Sequence, residues 1–359
     1  MIPVLLPGGI SVNRSRRRTR RSVTIQDVAR EAGVSVSTVS RVLNDKDDVA
    51  LETYDKVQEV IESLGYASSL AARGMRSRQT NVIGLIMPDV ASPYCLEVMR
   101  GVNQAIAHLD YDLIIYTTGD VRKYGTADQE RQYVLLLNGG ITDGVIVVTP
   151  VATSFSTDAP VVAIDPNNES PECPGIIGAN REGALMAMNY LTGLGHRRIG
   201  FITGRLDLVS ACQRLEGYKD GLTAASIAFD DCLVQTGDYT TETAIGCTQA
   251  ILALENPPTA IFASNDMSAL GVYQAAEEAG VRIPQDLSVI GFDNLPESTQ
   301  FNPPLTTIDQ FVSGMGSMAT DMVVKMVKGE TLPVNPTGEC NLYRIPTKLV
   351  LRDSCIAVR

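Results

Sequence analysis

Histidine is almost missing from this chain: His108 and His196 are the only two in 359 residues. Neither sits in a nucleophile–His–acid arrangement, so triad-type acyl transfer has no base to work with. No GxxxxGK[ST] phosphate loop and no GxSxG nucleophile elbow occur either. The seven cysteines (Cys95, Cys173, Cys212, Cys232, Cys247, Cys340, Cys355) are odd in number, scattered and free of any CxxC pair. That pattern speaks for reduced thiols in a cytoplasm, against a disulfide framework and against a metal site. No apolar run approaches the roughly 20 residues of a membrane span. Residues 1–12 are mildly apolar, but the arginine cluster (Arg14, Arg16, Arg17, Arg18, Arg20, Arg21) follows that stretch, the reverse of a secretory signal.

What charge there is lies unevenly. The chain as a whole is at −11. Residues 1–80 hold 13 Lys/Arg against 9 Asp/Glu, a net of +4, and the remainder holds 17 against 32, a net of −15. An acidic protein is repelled by DNA phosphate, so basic charge confined to one end marks the end that meets it. The basic leader, residues 1–22, reads equally as a disordered arm reaching phosphate or as a start placed too early, with Val23 the true first codon, because a resemblance to a known family begins there.

Residues 23–44 then read as two short amphipathic helices around a turn at Gly33-Val34. Thr24 caps the first, whose Ile25, Val28, Ala29 and Ala32 fall at i, i+3, i+4, i+7. Gly33 supplies the left-handed residue that ends it. Ser35 caps the second, which turns Val39, Val42 and Leu43 to one side and Val36, Ser37, Ser40 and Arg41 to the other. Small residues and one arginine on a short helix suit a DNA major groove. The competing reading is a helical hairpin buried in a core, for which the apolar stripe is too narrow. A third helix carries Val57, Val60, Ile61 and Leu64 and stops at Gly65; Ala50 gives it a weak start. The segment after it, Tyr66 to Arg78, is small, basic and weakly helical, as expected of a segment that orders on DNA.

From residue 81 the pattern becomes short apolar runs separated by helical stretches. The runs are Val82–Met87, Leu113–Tyr116, Val145–Val148, Val161–Ile164, Ile199–Ile202, Ala260–Ala263 and Ser288–Phe292; helices are expected over 181–194, 211–224, 241–254 and 267–280. This alternation means parallel α/β sheets, whose ligands sit beyond the carboxyl ends of the strands. Asp89, Asp165, Asn265-Asp266 and Asp293 stand at four such ends. Any one of them reads as a cap for the next helix; four together read as a shared cleft.

Thr24 to Asn44, Leu64-Gly-Tyr66 and Ala71-Ala-Arg-Gly-Met75 closely resemble LacI/GalR-type bacterial transcription regulators. So do Asn81–Pro88, Leu194–Gly204, Ser264–Gly271, Val289–Asn294, Pro304–Ile308 and Pro346–Arg352 in the body. The resemblance implies an α plus α/β architecture: a three-helix helix-turn-helix headpiece (23–66), a hinge segment (67–80) and a bilobed periplasmic-binding-protein-like sensor with two parallel sheets (81–359). It places one lobe at about 81–178 and 310–339, the other at about 179–309 and 340–359. It assigns DNA contacts to Thr24, Ser35, Val36, Ser37, Thr38, Ser40, Arg41, Asn44, Tyr66, Ala72 and Met75. Met75 stands where the family's hinge helix carries a leucine wedge, and remains apolar enough to insert between base steps. For the effector it assigns Ser92, Tyr94, Asp165, Ser210, Arg214, Tyr239, Asn265 and Asp293; Tyr94 and Tyr239 read otherwise as ordinary surface or core aromatics. The ligand classes left open are a sugar, a nucleoside and an organic acid. The implied partners are operator DNA, a small-molecule effector and a second copy of the chain, with no cofactor and no membrane, in a cytoplasmic, nucleoid-associated repressor. No heptad tail follows Arg352, so a tetramer built through one is not expected. A solute-binding protein would account for residues 81–355 but not 23–80; an enzyme on the same scaffold lacks a catalytic set.

Overall fold

The computed structural model describes residues 23–43, 48–66, 79–119, 126–335 and 341–358. The leader 1–22, Asn44, Ala72 and Met75 lie outside the described residues, as does most of the expected hinge segment. The chain divides into two compact units, residues 1–76 and 77–359.

In the first unit, α1 (Ile25–Ala32) begins with a capping box. The Asp27 amide donates to the Thr24 hydroxyl, while the Asp27 carboxylate accepts from the Thr24 amide at 2.9 Å. Gly33, at φ +66°, ends the helix, and the Val34 amide donates back to the Ala29 carbonyl. Ser35 caps α2 (Val36–Val42) through the Thr38 amide. The last helix, α3 (Leu51–Leu64), starts at Ala50 with no side-chain cap and stops at left-handed Gly65. Val28, Ala29, Ala32, Val39, Val42 and Val57 are buried where the three helices meet. Six mostly small side chains make a thin core, so the caps carry a large share of the order.

The second unit holds two six-stranded sheets. The first is built from β1 (Val82–Met87), β2 (Asp112–Thr117), β3 (Gly144–Val148), β4 (Val161–Ile164), β5 (Gly175–Gly178) and β11 (Leu342–Ile345), in the order β11-β5-β4-β3-β1-β2, all parallel. The second uses β6 (Ile199–Thr203), β7 (Val234–Thr236), β8 (Ala260–Ala263), β9 (Ser288–Asp293), β10 (Thr306–Asp309) and β12 (Lys348–Val350), in the order β12-β10-β9-β8-β6-β7. Among the described residues, only the β10–β12 pairing is antiparallel. Every residue of β1, β3, β4, β6, β8 and β9 is buried. Helices cover both faces, which is why these strands read as unbroken apolar runs.

Helices α4 (Pro93–Ile106), α5 (Thr126–Asn138) and α10 (Val312–Val327) pack on the first sheet; Val98, Val102, Met315 and Ala319 join its core. On the second lie α6 (Asn180–Gly193), α7 (Val209–Ala224), α8 (Thr241–Leu252) and α9 (Asp266–Glu278). There Tyr218 and Phe262 both stack on Phe201. The chain crosses between the lobes three times, at 178–180, 309–312 and 345–348. The third crossing corrects the expected boundary at 340. Residues 342–345 form β11 and pair in parallel with β5, and Tyr343 is buried in the first lobe's core, its hydroxyl donating to the Pro333 carbonyl. The second lobe therefore resumes after Pro346, where the chain loses a backbone donor and the sheet ends.

Candidate functional site

The exposed side of α2 is the candidate nucleic-acid face. Val36, Ser37 and Arg41 are exposed there, Thr38 and Ser40 half-buried, while Val39 and Val42 turn into the core. The hydroxyls of Ser35, Ser37 and Thr38 bond one another at 2.7 and 2.9 Å, which fixes the first turn. Arg41 pairs with Asp48 at 3.2 Å, both side chains well exposed. Thr24 is exposed beside its cap partner, and half-buried Tyr66 packs against the core of the headpiece.

In the second unit a cleft of about 770 Å³ opens between the lobes, within the range of small-molecule sites. Ser92, Tyr94, Asp165, Ser210, Arg214, Tyr239, Asn265 and Asp293 all line it. The residues come from just beyond the carboxyl ends of strands in both sheets: Asp89 after β1, Thr149 after β3 and Asp165 after β4 on one side, Arg205 after β6, Asp238 after β7 and Asn265 after β8 on the other. Parallel strands put all these ends on one rim.

Arg214 is the centre of the second lobe's wall and is buried. Its Nε donates to Asn180 Oδ1 at 2.8 Å and its Nη1 to the Ser264 carbonyl at 2.5 Å. The guanidinium lies 3.9 Å from the Phe292 ring centre and 5.8 Å from that of Tyr239. Asp293 Oδ1 stands 3.7 Å from Arg214 Nη1 and accepts from Gln310 Nε2 at 2.5 Å. Asp165 Oδ2 accepts from Ser210, a bond that joins the two lobes across the cleft. Asn167 adds two more beside it, to the Asp207 carbonyl and from the Val209 amide. Asn265 caps α9 through the Ser268 amide and also donates to the Tyr239 carbonyl. The Tyr239 ring lies against Gly204 so closely that a Cβ there would come within 2.0 Å of it.

Burial pushes the carboxyls of Asp165 and Asp293 up, against the opposing pull of Arg214. Burial likewise drives the Tyr94 phenol well above its usual range and Tyr239 to about 12. Thr149, Asp165, Tyr239 and Asp293 all hold left-handed backbones, with φ of 44°, 52°, 72° and 110°. Four strained residues converging on one cleft are the mark of a functional site.

Asp266 does not join them. Its carboxylate accepts from the Leu295 amide and the Thr307 hydroxyl, and it ties β9 to β10 behind the cleft. The sequence reading missed Asn180 and Gln310, which hold Arg214 and Asp293. Asn180 carries the same strand-end signature as Asp165, but β5 before it is a four-residue strand with glycine at both ends.

Residues 24–69 match the model for bacterial regulatory proteins of the lacI family, and residues 188–355 that for a periplasmic binding protein-like domain. The HTH-type transcriptional repressor PurR of Vibrio atlanticus is 35% identical over 312 residues, covering 85% of this chain and 92% of its own. Catabolite control protein A of Priestia megaterium is 32% identical over 342 residues, 93% and 99% of the two chains. Among solved structures, the lac repressor dimer bound to operator and the anti-inducer ONPF superimposes with a TM-score of 0.79 at 26% identity, over 94% of this chain and 100% of that one. The CelR–cellobiose complex gives 0.65 at 28% identity, over 92% and 99%. The chain belongs to the LacI family: it is a DNA-binding transcriptional repressor, not an enzyme, with a helix-turn-helix headpiece and a periplasmic-binding-protein-like effector domain.

Proposed function

We propose that the chain acts in the cytoplasm, on the nucleoid, as a homodimer on a pseudo-palindromic operator, and that a sugar or related metabolite in the inter-lobe cleft sets its affinity for that DNA. The observation that carries this reading is that all eight effector residues expected from the sequence line one cleft. The cleft's charge narrows the ligand. Among the described residues, Asp89, Asp165, Asp238, Glu242 and Asp293 face it against Arg205 and Arg214, and Arg205 is already chelated by Asp207. That surplus of acceptors favours a neutral ligand rich in hydroxyl donors over an organic acid.

On DNA, Val36, Ser37 and Arg41 of α2 read base edges, with Ser35, Thr38, Ser40, Asn44 and Thr24 toward the backbone. Tyr66 and the Ala72–Met75 segment follow in the minor groove, where Met75 wedges a base step open. Two solved relatives support the general reading: the lac repressor is a dimer bound to operator, and CelR is in complex with cellobiose.

The test is a thermal-shift screen of the full chain against cellobiose, ribose, adenosine and citrate. A ligand at 100-fold its Kd stabilises by about 2.7 kcal/mol. A shift with a saccharide or the nucleoside is the expected result. A shift with citrate alone, or with none, overturns it.

A further inference from the structure

Arg214 and Asp293 reach the cleft from different elements, yet both lead back to one point in the backbone. Asn180 is completely buried and uses both ends of its amide. Its Oδ1 accepts from Arg214 Nε at 2.8 Å, and its Nδ2 donates to the Gly178 carbonyl at 3.1 Å. Gln310, also buried, donates from Nε2 to Asp293, and its other amide atom lies over Gly178: a Cβ there would stand 2.7 Å from Gln310 Oε1. Gly178 ends β5, where the chain first leaves the first lobe. Gln310 sits in the second crossing, between β10 and α10. The next residue after Gly178, Ala179, donates its amide to the carbonyl of Ile345 in the third crossing.

We propose that Asn180 and Gln310 are positioning residues that aim the Arg214 guanidinium and the Asp293 carboxylate into the cleft and fasten both to the three crossings at Gly178. A ligand that pulls on Arg214 or Asp293 then pulls on the joint between the lobes through one side chain each. These hydrogen bonds are direct, from side chain to side chain or to backbone, so a small displacement at the cleft reaches the joint with little slack. The two amides also explain the packing: a larger residue at 178 would displace Gln310, and an apolar one at 180 would leave Arg214 Nε buried without an acceptor.

The inference rests on the cleft being the effector site, and the experiment separates the two. Full-length wild type, Asn180→Leu, Asn180→Asp and Gln310→Met are titrated calorimetrically with cellobiose, ribose and adenosine. Hydrogen exchange over residues 175–180 and 309–313 is followed with and without each compound. In the wild type, the compound that binds should slow exchange at the crossings. Asn180→Leu removes the acceptor for Arg214 and should weaken binding about 10- to 100-fold. Asn180→Asp restores that acceptor but cannot donate to Gly178. It should rescue most of the lost affinity without restoring protection at 175–180. Gln310→Met should likewise lose protection at 309–313. Protection in Asn180→Asp equal to wild type overturns the coupling role, and undiminished binding by Asn180→Leu overturns the positioning role. If Asn180→Leu does not fold, Asn180→Asp and Gln310→Met still decide the coupling. If none of the three compounds binds the wild type, the effector-cleft reading fails first and this inference with it.

Discussion

Among the described residues, Arg41 is held by one exposed ion pair. Its ion pair with Asp48 joins two side chains that are each 59% exposed, and such pairs are worth under about 1 kcal/mol. The guanidinium is therefore cheap to redirect to a base edge. Arg41→Ala should cost ~1–3 kcal/mol on specific DNA and relax preference at one base pair per half-site. In-vitro selection on random duplexes reads this directly; the same sequence logo from mutant and wild type would refute it. Asp165 and Asp293 are held by much more, and at a cost. Burial raises both carboxyls above the ordinary range that the unfolded chain shows. Between that range and the raised native values the folded protein binds more protons than the unfolded one. Stability therefore falls as pH rises through this window. Asp293→Asn removes one such carboxyl, so its urea midpoint should fall less between about pH 4.5 and about pH 8 than that of the wild type. Identical pH slopes would place the burden elsewhere.

Helix ends dominate at the scale of elements. With a core of six mostly small side chains, the headpiece leans on the Thr24–Asp27 box and on Ser35. Thr24→Ala should lower its stability by about 1 kcal/mol. The start of α3 shows the opposite case: Ala50 has a non-helical backbone (φ −58°, ψ 138°) with no side-chain cap, so Ala50→Ser should add about 1 kcal/mol. Chemical denaturation followed by circular dichroism on the full chain measures both, and a loss from Ala50→Ser would mean that its hydroxyl finds no amide. These caps were legible because capping is local chemistry written in three or four consecutive residues. The long buried strands were legible for a related reason: cover on both faces leaves an unbroken apolar run. The strands β5, β7, β10, β11 and β12 were not, being three or four residues long and broken by glycine, threonine, lysine or, in β11, by Arg344. Missing β11 misplaced the third crossing, and missing β5 hid Asn180. Strand-end aspartates marked the cleft well, yet the same signal included Asp266, whose two hydrogen bonds point it away from the cleft into the body of the second lobe. One residue at a strand end looks the same in sequence whether it faces solvent, ligand or backbone.

The whole molecule separates its tasks by charge. A net of +4 over residues 1–80 is attracted by DNA phosphate, and −15 over the rest is repelled by it. A second copy of the chain would set two α2 helices about one helical turn apart, which a selected operator would display as paired half-sites. Cleft and DNA face are distinct sites, so the link between them is a difference in ligand affinity between two states of the body, and it acts equally in both directions. The decisive measurement is the affinity of full-length protein for its selected operator, by fluorescence anisotropy, across graded concentrations of the compound that binds the cleft, for wild type and Arg214→Ala. The wild type should change its operator affinity about 5-fold or more. Arg214→Ala should match the wild type without the compound and stay flat as the compound is added to the same concentrations. An equal response in both proteins, or no response in the wild type, would contradict control of DNA binding through this cleft.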